Sequence, residues 1–151
     1  MKRMLLLLIG TTFLLSACNK EDTANYKLQQ DGVEMTVTNY YVDDTITKQH
    51  IETTMAYKNL GYKSEQAARD ANLDAEQNYH NEKGIHYTAH YEKAAIATEL
   101  TINYEKVEDL SAIENLQGVT FDVDSTKPIT VDVTKTDMLL KENGFQKIDQ
   151  K

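Results

Sequence analysis

The residues best suited to chemistry in this chain are four histidines and a few paired acids. His50, His86 and His90 fall at polar positions of segments that alternate apolar and polar residues. Imidazole suits zinc, copper or nickel, so metal capture is the chemistry they suggest. His86 and His90 are four residues apart on an extended segment, roughly 13 Å from Cα to Cα. They could share an ion only with help from a neighbouring strand, as His50 or Glu52 beside His86, or Glu99 beside His90. No short metal-ligand spacing is present, and a solvated sheet face accounts for the same residues. His50, His86 and His90 therefore stand as weak candidates, and no metal or other cofactor is assigned. The acid pairs Glu21-Asp22, Asp43-Asp44 and Glu108-Asp109 sit in a tether, a turn and a helix start, places that explain them without catalysis. Asp122-Val123-Asp124-Ser125 resembles part of a calcium loop but lacks its glycine and distal glutamate. His80 falls near a helix end, where a cation suits the dipole. No nucleophile elbow, Walker loop or Rossmann fingerprint occurs, and no nucleophile–base or acid–base pair can be named. The expectation is a protein that is not an enzyme.

Cys18 is the one cysteine, and it ends Leu15-Ser16-Ala17-Cys18. Ahead of it come Lys2 and Arg3 and an apolar run from Met4 to Leu14, broken by Gly10, Thr11 and Thr12. That run is short of the ~20 apolar residues a membrane span needs. The order of basic start, short apolar stretch and small residues before a cysteine is that of a bacterial lipoprotein signal peptide with a lipobox. Residues 1–17 are then the signal peptide, and Cys18 becomes a lipidated N-terminus. Two or more acyl chains hold a protein on a bilayer, whereas one is marginal. With no second cysteine the mature domain has no disulfide.

The mature chain from Cys18 has 134 residues, enough for one domain with a real core. Loss of Lys2 and Arg3 leaves 14 basic against 24 acidic residues, a net side-chain charge of −10. Such a surface repels nucleic acid and anionic lipid and favours cationic partners, and the same acidity serves solubility.

Residues 18–25 read as the lipidated terminus and a polar tether, and residues 26–151 as a single domain. Val33, Met35 and Val37 alternate with polar residues, as do Ile51, Thr53, Met55 and Tyr57, so both segments predict half-buried strands. Opposed residues must share a face, so pairing Val37 with Ile51 needs an odd loop, which predicts Asp43-Asp44-Thr45. Ser64 predicts a helix N-cap, with Ala67, Ala71, Ala75 and Tyr79 as one helix face and a stop before Gly84. Ile85, Tyr87, Ala89 and Tyr91 pair with Ile96, Leu100, Ile102 and Tyr104 in a second hairpin. A short helix is expected over 107–116. A terminal amphipathic helix follows Pro128, stops at Asn143-Gly144, and lets Phe145 and Ile148 pack back. This is an α+β two-layer sandwich, an antiparallel sheet of two hairpins with helices packed on one face.

In order behind the lipobox stand Asp31-Gly32-Val33, Tyr57-Lys58-Asn59-Leu60-Gly61, Ser64-Glu65-Gln66-Ala67, Gly84-Ile85, Asn103-Tyr104-Glu105-Lys106 and Asn143-Gly144-Phe145. Together they resemble the YehR-like lipoproteins, a bacterial family with a domain of unknown function. The resemblance spans nearly the whole mature chain. It implies a two-layer α/β fold and brings no catalytic residues.

The reading that follows is a membrane-anchored extracytoplasmic lipoprotein with a non-catalytic binding domain at the cell envelope. Lipidated Cys18 holds it to the cell membrane, facing outward in a one-membrane envelope or the periplasm in a two-membrane one. A partner would be an envelope protein or a cationic polypeptide such as a host lysozyme, with no nucleic acid. Its contact surface would be the polar sheet face of Thr36, Thr38, Lys48, His50, Glu52, His86, Thr88, His90, Glu99 and Thr101, which Tyr40 could join. The alternative is a lipoprotein that binds a small molecule or metal ion.

Overall fold

The computed structural model describes residues 20–80, 82–108, 123–124 and 129–149. Its elements are β1 (Asp22–Gln30), β2 (Val33–Val42), β3 (Thr45–Ala56), α1 (Glu65–His80), β4 (Ile85–Tyr91), β5 (Ala95–Asn103), β6 (Val123–Asp124), β7 (Thr130–Val131), α2 (Val133–Glu142) and β8 (Gln146–Ile148). Six strands form one antiparallel sheet in the order β4-β5-β3-β2-β1-β8, and β6 and β7 pair separately. The expected α+β sandwich holds, with a wider sheet than two hairpins. Its extra strands, β1 and β8, sit at one side.

β1 corrects the expected tether. Residues 22–25 belong to the sheet, paired with β2 from Asp22 opposite Tyr41 to Gln30 opposite Val33. The reason is an alternation hidden by polar neighbours: Ala24 and Tyr26 are buried and Leu28 packs against the same core. Asp31 and Gly32, both at positive φ, close this hairpin as a two-residue turn of the kind strand twist favours.

Val37 does oppose Ile51, but the loop is the two-residue Asp43-Asp44 rather than three residues. The odd residue sits inside the strand. Tyr41 pairs with Ile46 and Tyr40 with Lys48, so Thr47 is an extra residue in a β-bulge. Its single hydroxyl proton is shared between the Glu21 carboxylate (3.0 Å) and the Tyr40 carbonyl (3.2 Å), and its own carbonyl accepts from the Tyr104 amide at 2.9 Å.

β3 stops at Ala56. Tyr57 is not in the strand but opens a 3₁₀ turn through Asn59, and its hydroxyl donates to the Glu92 carbonyl at 2.7 Å. Ser64 caps α1 as expected, accepting from the Ala67 amide at 3.2 Å. The helix face differs from the expected one. Ala68 is fully buried while Ala71 is exposed, and the face against the sheet continues through Asn72, Glu76 and Tyr79. The two polar residues hide this stripe from an apolar count. Their role is to meet tyrosines: Tyr87 Oη donates to Asn72 Oδ1 at 3.0 Å, and Tyr91 Oη donates to Glu76 Oε1 at 2.7 Å. Burial, then the Glu76 hydrogen bond, pushes the Tyr91 hydroxyl up to about 12.

The expected second hairpin forms, with Tyr91 opposite Ile96 and Ile85 opposite Ile102. Val107 and Glu108 are not helical; the Val107 amide instead donates to the Asn103 carbonyl. The rest of the helix expected over 107–116 lies outside the described residues, as does Pro128. α2 is capped by Asp132, which accepts from the Lys135 amide at 2.8 Å. Gly144 at φ +87° ends it, and Phe145 turns into the core. Ile148 does not pack back. It pairs opposite Asn25 at the sheet edge, on the outer face, and is 40% exposed.

The core lies between the sheet and both helices. Tyr26, Val37, Ile46, Ile51, Leu100 and Ile102 from the sheet meet Val131, Leu140 and Phe145. A satellite cluster of Tyr57, Ala68 and Ile96 sits under α1. Within the main core a polar chain runs from Tyr104 Oη to Gln49 Oε1 (2.8 Å) and from Gln49 Nε2 to Asn39 Oδ1 (2.7 Å).

Two predictions test this packing. Gly84 has φ +84°, and a Cβ there would stand 2.8 Å from both the Asn103 carbonyl oxygen and the Val107 amide nitrogen. Gly84→Ala should cost roughly 2 kcal/mol or more, read by denaturant unfolding, because left-handed strain and a backbone clash add. The second concerns α2. Tyr26 Oη donates to Asp137 Oδ1 at 2.9 Å, and Lys141 Nζ to Asp137 Oδ2 at 2.7 Å. Burial raises the Asp137 carboxyl, but these two donors outweigh it and hold it below its usual value. A depressed carboxyl stabilises the fold above its unfolded value, near ~3.9, and loses that contribution as pH falls through the lower folded value. Asp137→Asn should flatten that acid limb of a stability–pH curve and cost about 1 kcal/mol at neutral pH.

Candidate functional site

Strand alternation sends every second side chain of the sheet away from the helices, and register turns those side chains into rows. One row crosses Lys27, Thr36, Glu52, Glu99 and Thr88; the next crosses Asn25, Thr38, His50, Thr101 and His86. A third holds Thr23, Tyr40, Lys48 and Asn103, and a fourth Thr54, Ala97 and His90. The ten residues expected on a polar face therefore do share one, together with Tyr40. Asn25 and Lys27 extend it; Asn25 falls in the expected tether, and no strand is expected ahead of Val33.

Both helices lie on the other side. α1 meets Tyr87 and Tyr91, and α2 meets Tyr26, all on the core face. Among the described residues no helix covers the outer face. Glu52, Thr54, His86, His90 and Glu99 are exposed there, and the remaining row members are partly so.

Local contacts order part of this face. Thr38 Oγ1 donates to Asn25 Oδ1 at 2.9 Å. Lys27 Nζ lies 2.6 Å from Glu34 Oε1, and Lys48 Nζ sits 3.8 Å over the Tyr40 ring. His50 Nδ1 meets Thr101 Oγ1 at 3.0 Å, and its Nε2 lies 3.9 Å from Glu52. Glu52 and Glu99 are directly opposed, a like-charge pair that costs stability in an antiparallel sheet.

The three candidate histidines do not converge. Thr101 separates His50 from His86 across the sheet, and His90 lies four residues along β4. Among the described residues no group of three or more His, Cys, Asp or Glu could hold a metal ion. Cys18 lies outside the described residues, as do Asp109, Asp122 and Ser125; the His80 side chain does too.

A cleft lies at the end of the sheet where β1 begins. About 480 Å³ in volume, it is lined by Thr45, Ile46, Thr47, Tyr104, Glu105, Val107, Glu108, Ile129 and Thr130. Ile46, Tyr104, Val107 and Ile129 make its apolar floor, and Glu105 and Glu108 stand exposed beside it, the latter ion-paired with Lys83. Sequence pattern gave no sign of this cleft, because its walls come from three separate segments.

Comparison with known proteins places this arrangement. The chain is 27% identical over 148 residues to the uncharacterized lipoprotein Lin0239 of Listeria innocua, covering 97% of this chain and 94% of that one. It is 25% identical over 138 residues to the uncharacterized lipoprotein YehR of Escherichia coli, covering 90% and 88%. The NMR structure of E. coli YehR superposes with a TM-score of 0.71 at 23% identity, over 89% of this chain and 95% of that one. An NMR structure of a Streptococcus pneumoniae protein gives 0.56 at 14% identity, over 98% and 97%. Residues 22–146 match the family described as protein of unknown function DUF1307, whose span begins with β1 and ends within β8, and the chain belongs to that family, as a YehR-like protein.

Proposed function

We propose that this is a lipid-anchored extracytoplasmic lipoprotein whose domain is a non-catalytic binding module. The lipoprotein relatives and the Leu15-Ser16-Ala17-Cys18 segment support the anchor, with Cys18 as the lipidated residue. The observation that carries the binding role is the outer sheet face, polar across five strands and, among the described residues, covered by no helix. Its centre holds the opposed pair Glu52 and Glu99, whose repulsion a partner's lysine or arginine would relieve. The partner is therefore an envelope protein or polypeptide that presents basic side chains. A standard interface takes about 800 Å² from each side, which a five-strand face with projecting side chains can meet.

Photo-crosslinking in intact cells tests this. A crosslinker at Glu99 or His90 on the outer face should give a discrete protein adduct, and one at Asp70 on α1 should not. Adducts of equal yield from both faces, or none from Glu99 and His90, would sink the outer-face reading.

The cleft supports a second reading, a small-molecule binder, since 480 Å³ lies within the range of ligand pockets. Thermal unfolding of chelator-stripped protein against metals and nutrients separates the two. A ligand at a hundred times its dissociation constant adds ~2.7 kcal/mol, a readily measured shift. No shift is expected from zinc, copper or nickel that a His50, His86 and His90 triple alanine variant removes. A nutrient shift abolished by Val107→Asp would favour the cleft.

A further inference from the structure

The sheet fixes more than a binding face; it also fixes where the chain leaves it. β1 begins at Asp22, opposite Tyr41, beside the Asp43-Asp44 turn. The Glu21 carboxylate accepts a hydrogen bond from Thr47 Oγ1 at 3.0 Å, which holds the chain to the sheet one residue earlier still. Only Asn19 and Lys20 then separate Cys18 from a fixed residue. Three residue steps span at most ~11 Å fully extended.

We infer that the end of the sheet carrying the Asp43-Asp44 turn faces the bilayer, with the strands rising away from it. This rests on the lipid anchor proposed above. Acyl chains on Cys18 lie in the membrane, and a leash this short cannot carry the other end of the sheet to the surface. β1 is nine residues long, so its far end at Gln30, eight steps on, stands roughly 27 Å further out. The bilayer-facing end presents Asp22, Asp43, Asp44 and Asp132. These carboxylates suit zwitterionic headgroups and are repelled by anionic ones. Two consequences follow for binding. The outer sheet face stands on its side relative to the membrane, so it meets a partner approaching laterally, such as another protein held in the same membrane. The cleft, lined by Thr45, Ile46 and Thr47 among others, lies at the bilayer-facing end of the sheet.

The test uses the full mature protein purified from membranes, in phosphatidylcholine vesicles bearing a headgroup nitroxide. With Cys18 occupied by lipid, Asp44→Cys and Gln30→Cys each give one free thiol for a fluorophore at an exposed site. The Asp44 probe should be quenched several-fold more than the Gln30 probe. Inserting about ten Gly/Ser residues after Asn19 should remove most of that difference, because a flexible linker of that length spans ~17 Å on average and lets the domain tumble. Equal quenching at both sites, or stronger quenching at Gln30, in protein that floats with the vesicles overturns the orientation while leaving the anchor intact. Protein that does not float overturns both.

Discussion

One inserted residue sets which face most side chains of the large sheet take. The Asp43-Asp44 turn alone would pair β2 with β3 in a register that puts Val37 and Ile51 on opposite faces. The bulge at Thr47 shifts the ladder by one, so Val37 meets Ile51 and Asn39 meets Gln49. β3 is the middle of the sheet, paired with β2 on one side and β5 on the other. Its parity is handed on to both neighbours, and through them to β1 and β4. Since a slip of one residue exchanges core and solvent faces, the bulge is what keeps Ile51 in and His50 out. Thr47 holds its place through contacts from three directions: the Tyr40 carbonyl, the Glu21 carboxylate and the Tyr104 amide.

The buried polar groups reinforce the same register. Asn39 and Gln49 are fully buried and face each other across β2 and β3, and Tyr104 reaches Gln49 from the residue after β5. A buried amide left without its partner costs more than the hydrogen bond gains, so this chain penalises misregistered strands more than it adds to stability. The α1 contact uses a similar device. Glu76 and Asn72 would be misplaced against an apolar sheet, and they fit because β4 offers two tyrosine hydroxyls at matching positions. Polar matching thus sets how this helix lies on the sheet.

Much of the fold was legible because strands announce themselves by alternation. The apolar positions of β2, β3, β4 and β5, the Ser64 cap and the Gly144 stop follow from spacing and from the chemistry of single residues. The polar face was legible for the same reason, since it is the complement of the core face. What stayed hidden depended on partners distant in the chain. β1 begins with polar residues, and the burial of Ala24 and Tyr26 comes from core partners as distant as Leu140 and Phe145. The α1 face carries Asn72 and Glu76, which read as solvent-facing until Tyr87 and Tyr91 are set opposite them. The parity argument found the need for an odd residue and placed it in the turn, since local sequence does not distinguish a three-residue loop from a bulge. The cleft joins segments more than eighty residues apart, beyond the reach of any periodicity.

The edge position of β8 has a consequence for the order in which the protein forms. β1 through β5 are joined by short connections, apart from the one that carries α1, and can assemble largely as each emerges. β8 pairs with β1 across more than a hundred residues, Ile148 with Asn25, and contacts so distant in sequence form late. Until then the free edge of β1 is an open row of amides and carbonyls. A chain made from its N-terminus cannot cover that edge before residues 146–148 arrive. The six-stranded sheet is finished only after residues 146–148 have been made, so its first strand waits on its last.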